Sequence, residues 1–268
     1  MIYEELRDAV RAEEPVALVT VVEGEPLGAK LLVRPGEGQT TGTLGDPELD
    51  RVVARDARAE LDTGLSSTRH YGPHGEARQA EVGVFIESFA PPPRLVIFGA
   101  VDFTAALTRI GKVLGYRVVV CDARPVFATK ARFPLADEVV VDWPDRYLAG
   151  PGADLGPRDA VCVLTHDHKF DVPAVVAALA TRVGYLGAMG SRRTDGERRQ
   201  RLRDAGVTDI AMARLMAPIG LDIGARTPEE TAISICAEII ALRTGRRPPS
   251  LRDTEGPIHA RGGKGDVA

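Results

Sequence analysis

Leu95-Val96-Ile97-Phe98-Gly99-Ala100-Val101-Asp102-Phe103-Thr104 decides the fold of this chain. An apolar run without polar alternation makes a strand buried on both faces, as in a parallel sheet covered by helices. Gly99 punctuates its end, and Ala105 to Leu114 carries the apolar spacing of a helix. The rhythm continues with strands at Arg117 to Cys121, Glu138 to Val141 and Val161 to Leu164 and a helix at Val172 to Leu179. A strand at Gly184 to Leu186 and a helix near Glu197 to Asp204 follow. Short buried strands alternating with helices read as α/β, a Rossmann-like doubly wound parallel sheet spanning residues 94–245.

Upstream, Ala90-Pro91-Pro92-Pro93 can continue neither ladder nor helix, because proline lacks an amide hydrogen and successive rings enforce extended backbone. Residues 1–90 therefore read as a smaller α+β amino-terminal domain. Its strands are Val16 to Val22 and Leu27 to Val33, joined by the turn residues Glu23-Gly24-Glu25-Pro26. Asp46-Pro47 offers an N-cap and a first-turn proline for a helix with an apolar stripe at Leu49, Val53, Ala57 and Leu61, ending near Gly64. A short segment at Thr68 to Tyr71 and a strand at Val82 to Phe89 close the unit. Downstream, Thr227-Pro228-Glu229-Glu230 is a capping box opening a helix through Leu242, whose wide apolar face serves the core or a subunit interface. Residues 246–268, rich in Gly, Pro and charge, are expected to be a mobile tail.

The 268 residues are 44% hydrophobic with a net charge of −4, so a substantial core is expected and no basic field draws the chain to nucleic acid. No apolar run reaches the roughly 18 residues of a membrane helix. Glu4, Glu5 and Asp8 do not fit a signal peptide, and a cytoplasmic location is expected. The three cysteines, Cys121, Cys162 and Cys236, each lie in an apolar stretch and read as buried free thiols. Arg198, Arg199, Arg201 and Arg203 read as a solvated or partner-facing helix surface, since aromatics are not interleaved with them.

Ligands of doubly wound sheets bind at the carboxyl ends of the strands. There Gly99 matches the first glycine of a dinucleotide turn, but Val101 replaces the second, whose bare backbone lets a pyrophosphate approach. With Ala100 and Asp102 completing this turn, Asp102 both caps the helix and competes with an anion for the same amides. Asp122 ends the second strand, where a carboxylate meets a ribose diol; it is equally a turn residue ahead of Arg124-Pro125. Thr165-His166-Asp167-His168 forms a dense polar loop suited to ligand hydrogen bonding, to proton transfer or simply to capping, and no third cluster completes a metal site. Gly190-Ser191-Arg192-Arg193 suits a phosphate through helix-start amides and paired guanidiniums, or else is an N-cap with surface arginines.

Together these motifs resemble the XdhC/CoxI family of molybdenum-hydroxylase maturation factors. The resemblance is carried by Asp122-Ala123-Arg124-Pro125-Val126-Phe127-Ala128 with Arg132-Phe133-Pro134, the Thr165-His166 loop, Gly190-Ser191-Arg192-Arg193, and Pro218-Ile219-Gly220-Leu221-Asp222-Ile223-Gly224. It implies an accessory factor rather than a catalyst, one that binds molybdenum cofactor as molybdopterin or its dinucleotide. Such a factor presents the cofactor to a cysteine desulfurase and delivers it to an apo molybdenum hydroxylase. On the resemblance, Ser191, Arg192 and Arg193 bind ligand phosphate, Asp122 and Arg124 shape the pocket, and His166 bonds the ligand. Two cysteines frequent in that family are replaced, one by Glu48 and one near Arg78. Two other readings stay open: an NAD(P)- or FAD-binding oxidoreductase or nucleotide-transferring enzyme, and a cofactor-free interaction scaffold. A homodimer is expected from the general commonness of two-fold symmetry.

Overall fold

The computed structural model describes residues 2–77, 79–165 and 167–246. It divides into two units, one running to Pro91 and the other starting at Pro92. The expected tail beyond Arg246 lies outside the described residues.

The first unit contains α1 (Ile2–Arg11), β1 (Val16–Glu23), β2 (Lys30–Val33), β3 (Thr40–Thr43), α2 (Pro47–Thr63), β4 (Ser67–Tyr71) and β5 (Val82–Phe89). Its strands form a five-stranded sheet in the order β3-β2-β1-β5-β4, antiparallel throughout. Alternation along β1 sorts two faces. Ala17, Val19 and Val21 pack with Leu49, Val53, Ala57 and Leu61 of α2, whereas Val16 and Leu18 pack with Ala9, Ile2 and Leu6 of α1. Asp46 caps α2, accepting the Glu48 and Leu49 amides at 2.9 and 3.0 Å, and Gly64 closes it at φ 67°. The second strand begins at Lys30 rather than Leu27, because Gly28, at φ 81°, still belongs to the turn and donates to the Val21 carbonyl at 2.9 Å.

The second unit contains β6 (Arg94–Phe98), α3 (Asp102–Val113), β7 (Arg117–Cys121), β8 (Glu138–Val140), α4 (Pro144–Ala149), β9 (Ala160–Val163) and α5 (His168–Ala180). It continues with β10 (Tyr185–Ala188), α6 (Arg192–Asp204), α7 (Asp209–Met212), β11 (Leu215–Met216) and α8 (Pro228–Arg243). The strands form a parallel six-stranded sheet, β11-β10-β9-β6-β7-β8, the 3-2-1-4-5-6 order of a doubly wound fold. Leu95 and Ile97 face α3 and α8, packing with Leu107, Ile235 and Ile239. Val96 and Phe98 face the opposite layer, packing with Tyr147 of α4, Val175 of α5 and Leu202 of α6. Helices on both faces explain why these strands lack polar alternation, and the α/β architecture is the expected one.

Phe98 is fully buried in this layer. Phe98→Ala is expected to lower stability by about 3–5 kcal/mol in denaturant unfolding, whereas Val113→Ala, on the exposed side of α3, changes it by less than about 0.5 kcal/mol.

Candidate functional site

β6 and β9 are neighbours in the sheet, yet the chain leaves β6 for α3 on one face and β9 for α5 on the other. The loops diverge there, at the switch point where ligands of doubly wound sheets bind. Gly99 and Thr165 meet at that point. A Cβ on Gly99 would lie 2.9 Å from Thr165 Cγ2 and 3.1 Å from the Thr165 amide, and the backbone holds φ at 112°, so only glycine fits. Thr104 takes the place of the turn's third glycine; its buried hydroxyl donates to the Gly99 carbonyl and accepts from the Val101 amide at 3.4 Å. Val101 itself packs against the core of the α3 and α8 layer. Asp102 does not cap α3 as expected: Val101 holds the cap position, and the Asp102 side chain, 92% exposed, lies 3.9 Å from Arg132.

The buried Asp122 carboxylate is the hub of this edge. One oxygen accepts from the Arg124 amide and Nε, each at 2.9 Å; the other accepts from the Ala100 amide at 2.8 Å and Arg124 Nη2 at 2.7 Å. A carboxylate has about four lone-pair sites, and all are used, so Asp122 has none left for a ribose hydroxyl. Burial alone pushes this carboxyl up, but the hydrogen bonds from the Arg124 guanidinium, the Ala100 amide and the Arg124 amide outweigh it and hold the pKa below the usual range. Arg124 lies 4.5 Å over the Phe127 ring and 6.0 Å from the Phe170 ring. Arg132 faces the same Phe127 ring at 5.6 Å and donates from Nη1 to the Ala100 and Phe127 carbonyls at 3.1 and 3.3 Å. Lys169 lies 4.8 Å from Phe170, and Trp143 packs against Phe170 with ring centroids 5.0 Å apart.

On the other side of the crossover, the Thr165 hydroxyl donates to Asp171 Oδ1. Arg198 Nη2 donates to Asp171 Oδ2 at 3.2 Å and to the Met189 carbonyl, tying the loop after β9 to the loop after β10. Arg198 is thus no surface residue, contrary to the expectation for α6: it is 2% exposed, because Asp171 and Asp195 draw its guanidinium inward. Its Nε and Nη1 carry no hydrogen bond among the described residues. Sequence reasoning missed it because one inward arginine among Arg199, Arg201 and Arg203 leaves no periodic trace; Asp171 and Asp195 were the available signal.

Ser191 caps α6 by accepting the Thr194 amide at 3.1 Å, and Arg193, 90% exposed, pairs along the helix with Glu197 at 3.5 Å. Arg192 is also exposed. His166 lies outside the described residues, and His168 is an exposed first residue of α5. Among the described residues no cluster of three or more His, Cys, Asp or Glu side chains is placed to hold a metal.

Comparison with known proteins follows the same division. The XdhC Rossmann domain model matches residues 95–239, and the XdhC and CoxI family model matches residues 9–72. The chain belongs to the XdhC and CoxI family. It is 33% identical over 160 residues to a protein of Bacillus subtilis (strain 168) described as a probable xanthine dehydrogenase subunit, covering 60% of this chain and 46% of that protein. It is 28% identical over 250 residues to the uncharacterized protein YqeB of Escherichia coli (strain K12), covering 88% of this chain and 46% of that one. To the molybdenum cofactor insertion chaperone PaoD of the same organism it is 33% identical over 99 residues, 37% of this chain and 31% of PaoD. The chain thus spans less than half the length of these relatives. A crystal structure of a Bacillus halodurans protein described as a xanthine dehydrogenase superposes with a TM-score of 0.51 at 23% identity, covering 92% of this chain and 97% of that one, a likeness of fold.

Other XdhC/CoxI motifs are absorbed by structure. The Ile219 amide donates to the Ala188 carbonyl at 3.1 Å, and the Gly220 amide donates to Glu238, which also accepts the buried Tyr185 hydroxyl at 2.6 Å. Glu48, which the resemblance sets at a cysteine position, is an exposed first-turn residue of α2 paired with Arg51 at 2.8 Å; Arg78 lies outside the described residues. The cysteines present are buried and unpaired. Burial pushes Cys121 up to about 12 and Cys236 up to about 11, and Cys162 well above its ordinary value, so these thiols stay protonated near neutrality.

Two outcomes are expected from these contacts. Arg198→Ala leaves Asp171 and Asp195 buried without it and lowers stability by about 3–5 kcal/mol, whereas Arg193→Ala costs under about 0.5 kcal/mol; urea midpoints measure both. Because the Asp122 pKa is lower in the folded state, its contribution is present above the ordinary carboxylate range near about 4 and is lost as pH falls through the folded value. Asp122→Asn should therefore cost about 1.5–3 kcal/mol at neutral pH, with the gap to wild type closing as the medium is acidified.

Proposed function

We propose that this protein is a maturation factor for a molybdenum hydroxylase, binding molybdenum cofactor at the carboxyl edge of the parallel sheet and delivering it to the apo-enzyme. The observation that carries the reading is the Asp122-held guanidinium of Arg124 beside the point where Gly99 and Thr165 meet, a cationic and aromatic edge suited to a phosphorylated planar ligand. Family membership supports it, as do the names of two relatives, a molybdenum cofactor insertion chaperone and a probable xanthine dehydrogenase subunit.

The residues present suit the organic part of the cofactor. Gly99 and Ala100 bring backbone close, Thr165 lines the crossover, Arg124 offers donors to phosphate, and Phe127, Phe170 and Trp143 offer apolar faces to a ring system. They do not suit thiolate ligation of the metal, since the cysteines among the described residues are strand or helix residues buried in the core. When bound, the cofactor supplies a molybdenum centre used by the client enzyme. This chain's part is to hold the pterin and limit its contact with water, without chemistry of its own. On the same reading the partners are an apo molybdenum hydroxylase and a cysteine desulfurase, and the protein works in the cytoplasm as a homodimer. Among the described residues no helix is long and apolar enough to cross a membrane. The saturated Asp122 carboxylate weighs against a diol-binding NAD or FAD enzyme.

The test is purification from a host making molybdenum cofactor, with fluorescence of the oxidised pterin read after denaturation. Wild type is expected to retain pterin and to capture an apo-hydroxylase, and Gly99→Val, which closes the crossover, to lose the pterin. Retention of neither pterin nor apo-enzyme by the wild type would overturn the reading.

A further inference from the structure

Resting on that reading, we infer that Arg124 makes the end of β7 specific for a phosphate monoester against an unphosphorylated ribose diol, so that the site takes molybdopterin rather than its dinucleotide. In doubly wound folds the residue ending the second strand reads the ribose: a free carboxylate binds the diol, and an arginine binds a phosphate placed on it. Here the carboxylate is present but spent. Asp122 accepts four hydrogen bonds, two of them from Arg124 Nε and Nη2.

A guanidinium has five N–H donors in a planar fork, and this pairing uses those along one edge. The opposite edge, both Nη1 hydrogens and the outer Nη2 hydrogen, has no acceptor among the described residues, and the side chain is 44% exposed. That edge is itself a bidentate fork of the kind that matches a phosphate. Asp122 thus acts as a positioning residue that fixes the direction of the open edge, with the Phe127 ring under the guanidinium limiting its swing.

Arg132 strengthens the selectivity for charge. It shares the Phe127 ring with Arg124 and is anchored separately by the Ala100 and Phe127 carbonyls, so two like charges flank one ring. Their nearest counter-charges besides Asp122 are Asp102, 92% exposed and 3.9 Å from Arg132, and Asp167, which is committed to the start of α5 and to Lys169 at 3.3 Å. A dianion meeting Arg124 relieves that repulsion; a neutral diol does not. In the dinucleotide the charge is spread over a pyrophosphate, one on each phosphorus, and a nucleoside stands where the fork expects the free oxygen atoms of a monoester.

Two pairs of probes test this by equilibrium dialysis at fixed ionic strength: molybdopterin against molybdopterin cytosine dinucleotide, and NADP against NAD. Wild type should hold molybdopterin about tenfold to a hundredfold tighter than its dinucleotide, the range of one or two charge-assisted bonds, and NADP tighter than NAD. Arg124→Ala should bring the two members level. Because that change strands a buried carboxylate, the double variant Asp122→Asn/Arg124→Ala serves as the folding control and should show the same levelling with a cooperative melt.

Equal binding of both pterin forms, or preference for the dinucleotide, overturns the inference while leaving the cofactor-carrier reading intact. Preference for NADP over NAD that depends on Arg124, with no pterin retained, keeps the monoester specificity and removes the carrier reading. Absence of any monoester preference in both pairs overturns the inference.

Discussion

Four hydrogen bonds converge on the buried carboxylate of Asp122, and the shape of the carboxyl edge depends on them. A carboxylate out of water costs several kcal/mol unless its charge is met, so the loop after β6 and the loop after β7 cannot separate without exposing that cost. The Ala100 amide is held from one side and the whole of Arg124, backbone and side chain, from the other. This contact turns two adjacent loops into one surface.

A second buried charge network does the equivalent on the far side of the crossover. Thr165, Asp171 and Arg198 link the loop after β9 to the loop after β10, through the Met189 carbonyl. The switch point is therefore flanked by two polar networks, with Gly99 and Thr165 in contact between them. Rigidity at the loop ends of an open sheet is what a ligand needs if it is to be gripped by a few polar groups. Neither network uses the amino terminus of α6, where the Ser191 hydroxyl accepts the Thr194 amide and shares a hydrogen bond with the Thr194 hydroxyl.

The parallel sheet was legible because burial on both faces leaves a local signature, and Leu95 to Phe98 and Arg117 to Cys121 carry it without reference to partners. β3 was not legible: its exposed threonines carry no apolar alternation, and only pairing with β2 makes it a strand. α1 was overlooked although Ile2, Leu6 and Ala9 give it a helical stripe. At the site, the position of Asp122 could be read from its place at a strand end, but not its state. Whether a carboxylate is free or saturated depends on an amide from Ala100 and on a side chain two residues on, and both possibilities share one sequence. Arg193 and Arg198 show the same limit: spacing on α6 does not say which guanidinium turns inward until Asp171 of α5 is in place.

The same physics bears on what the protein leaves to others. Each cysteine in the second unit occupies a core position where desolvation favours the neutral thiol, and Glu48, where the family resemblance places a cysteine, lies in the charged first turn of α2. A thiol held protonated in a packed core neither ligates a soft metal nor relays sulfur, since both need an accessible thiolate. On the proposed function, recognition falls on the parts of the cofactor remote from the metal, its phosphate and its ring. Those are the parts that guanidiniums, backbone amides and aromatic faces address, and they are the groups this edge presents. A carrier built this way leaves the metal end of its cargo free of protein bonds that would have to be broken at transfer.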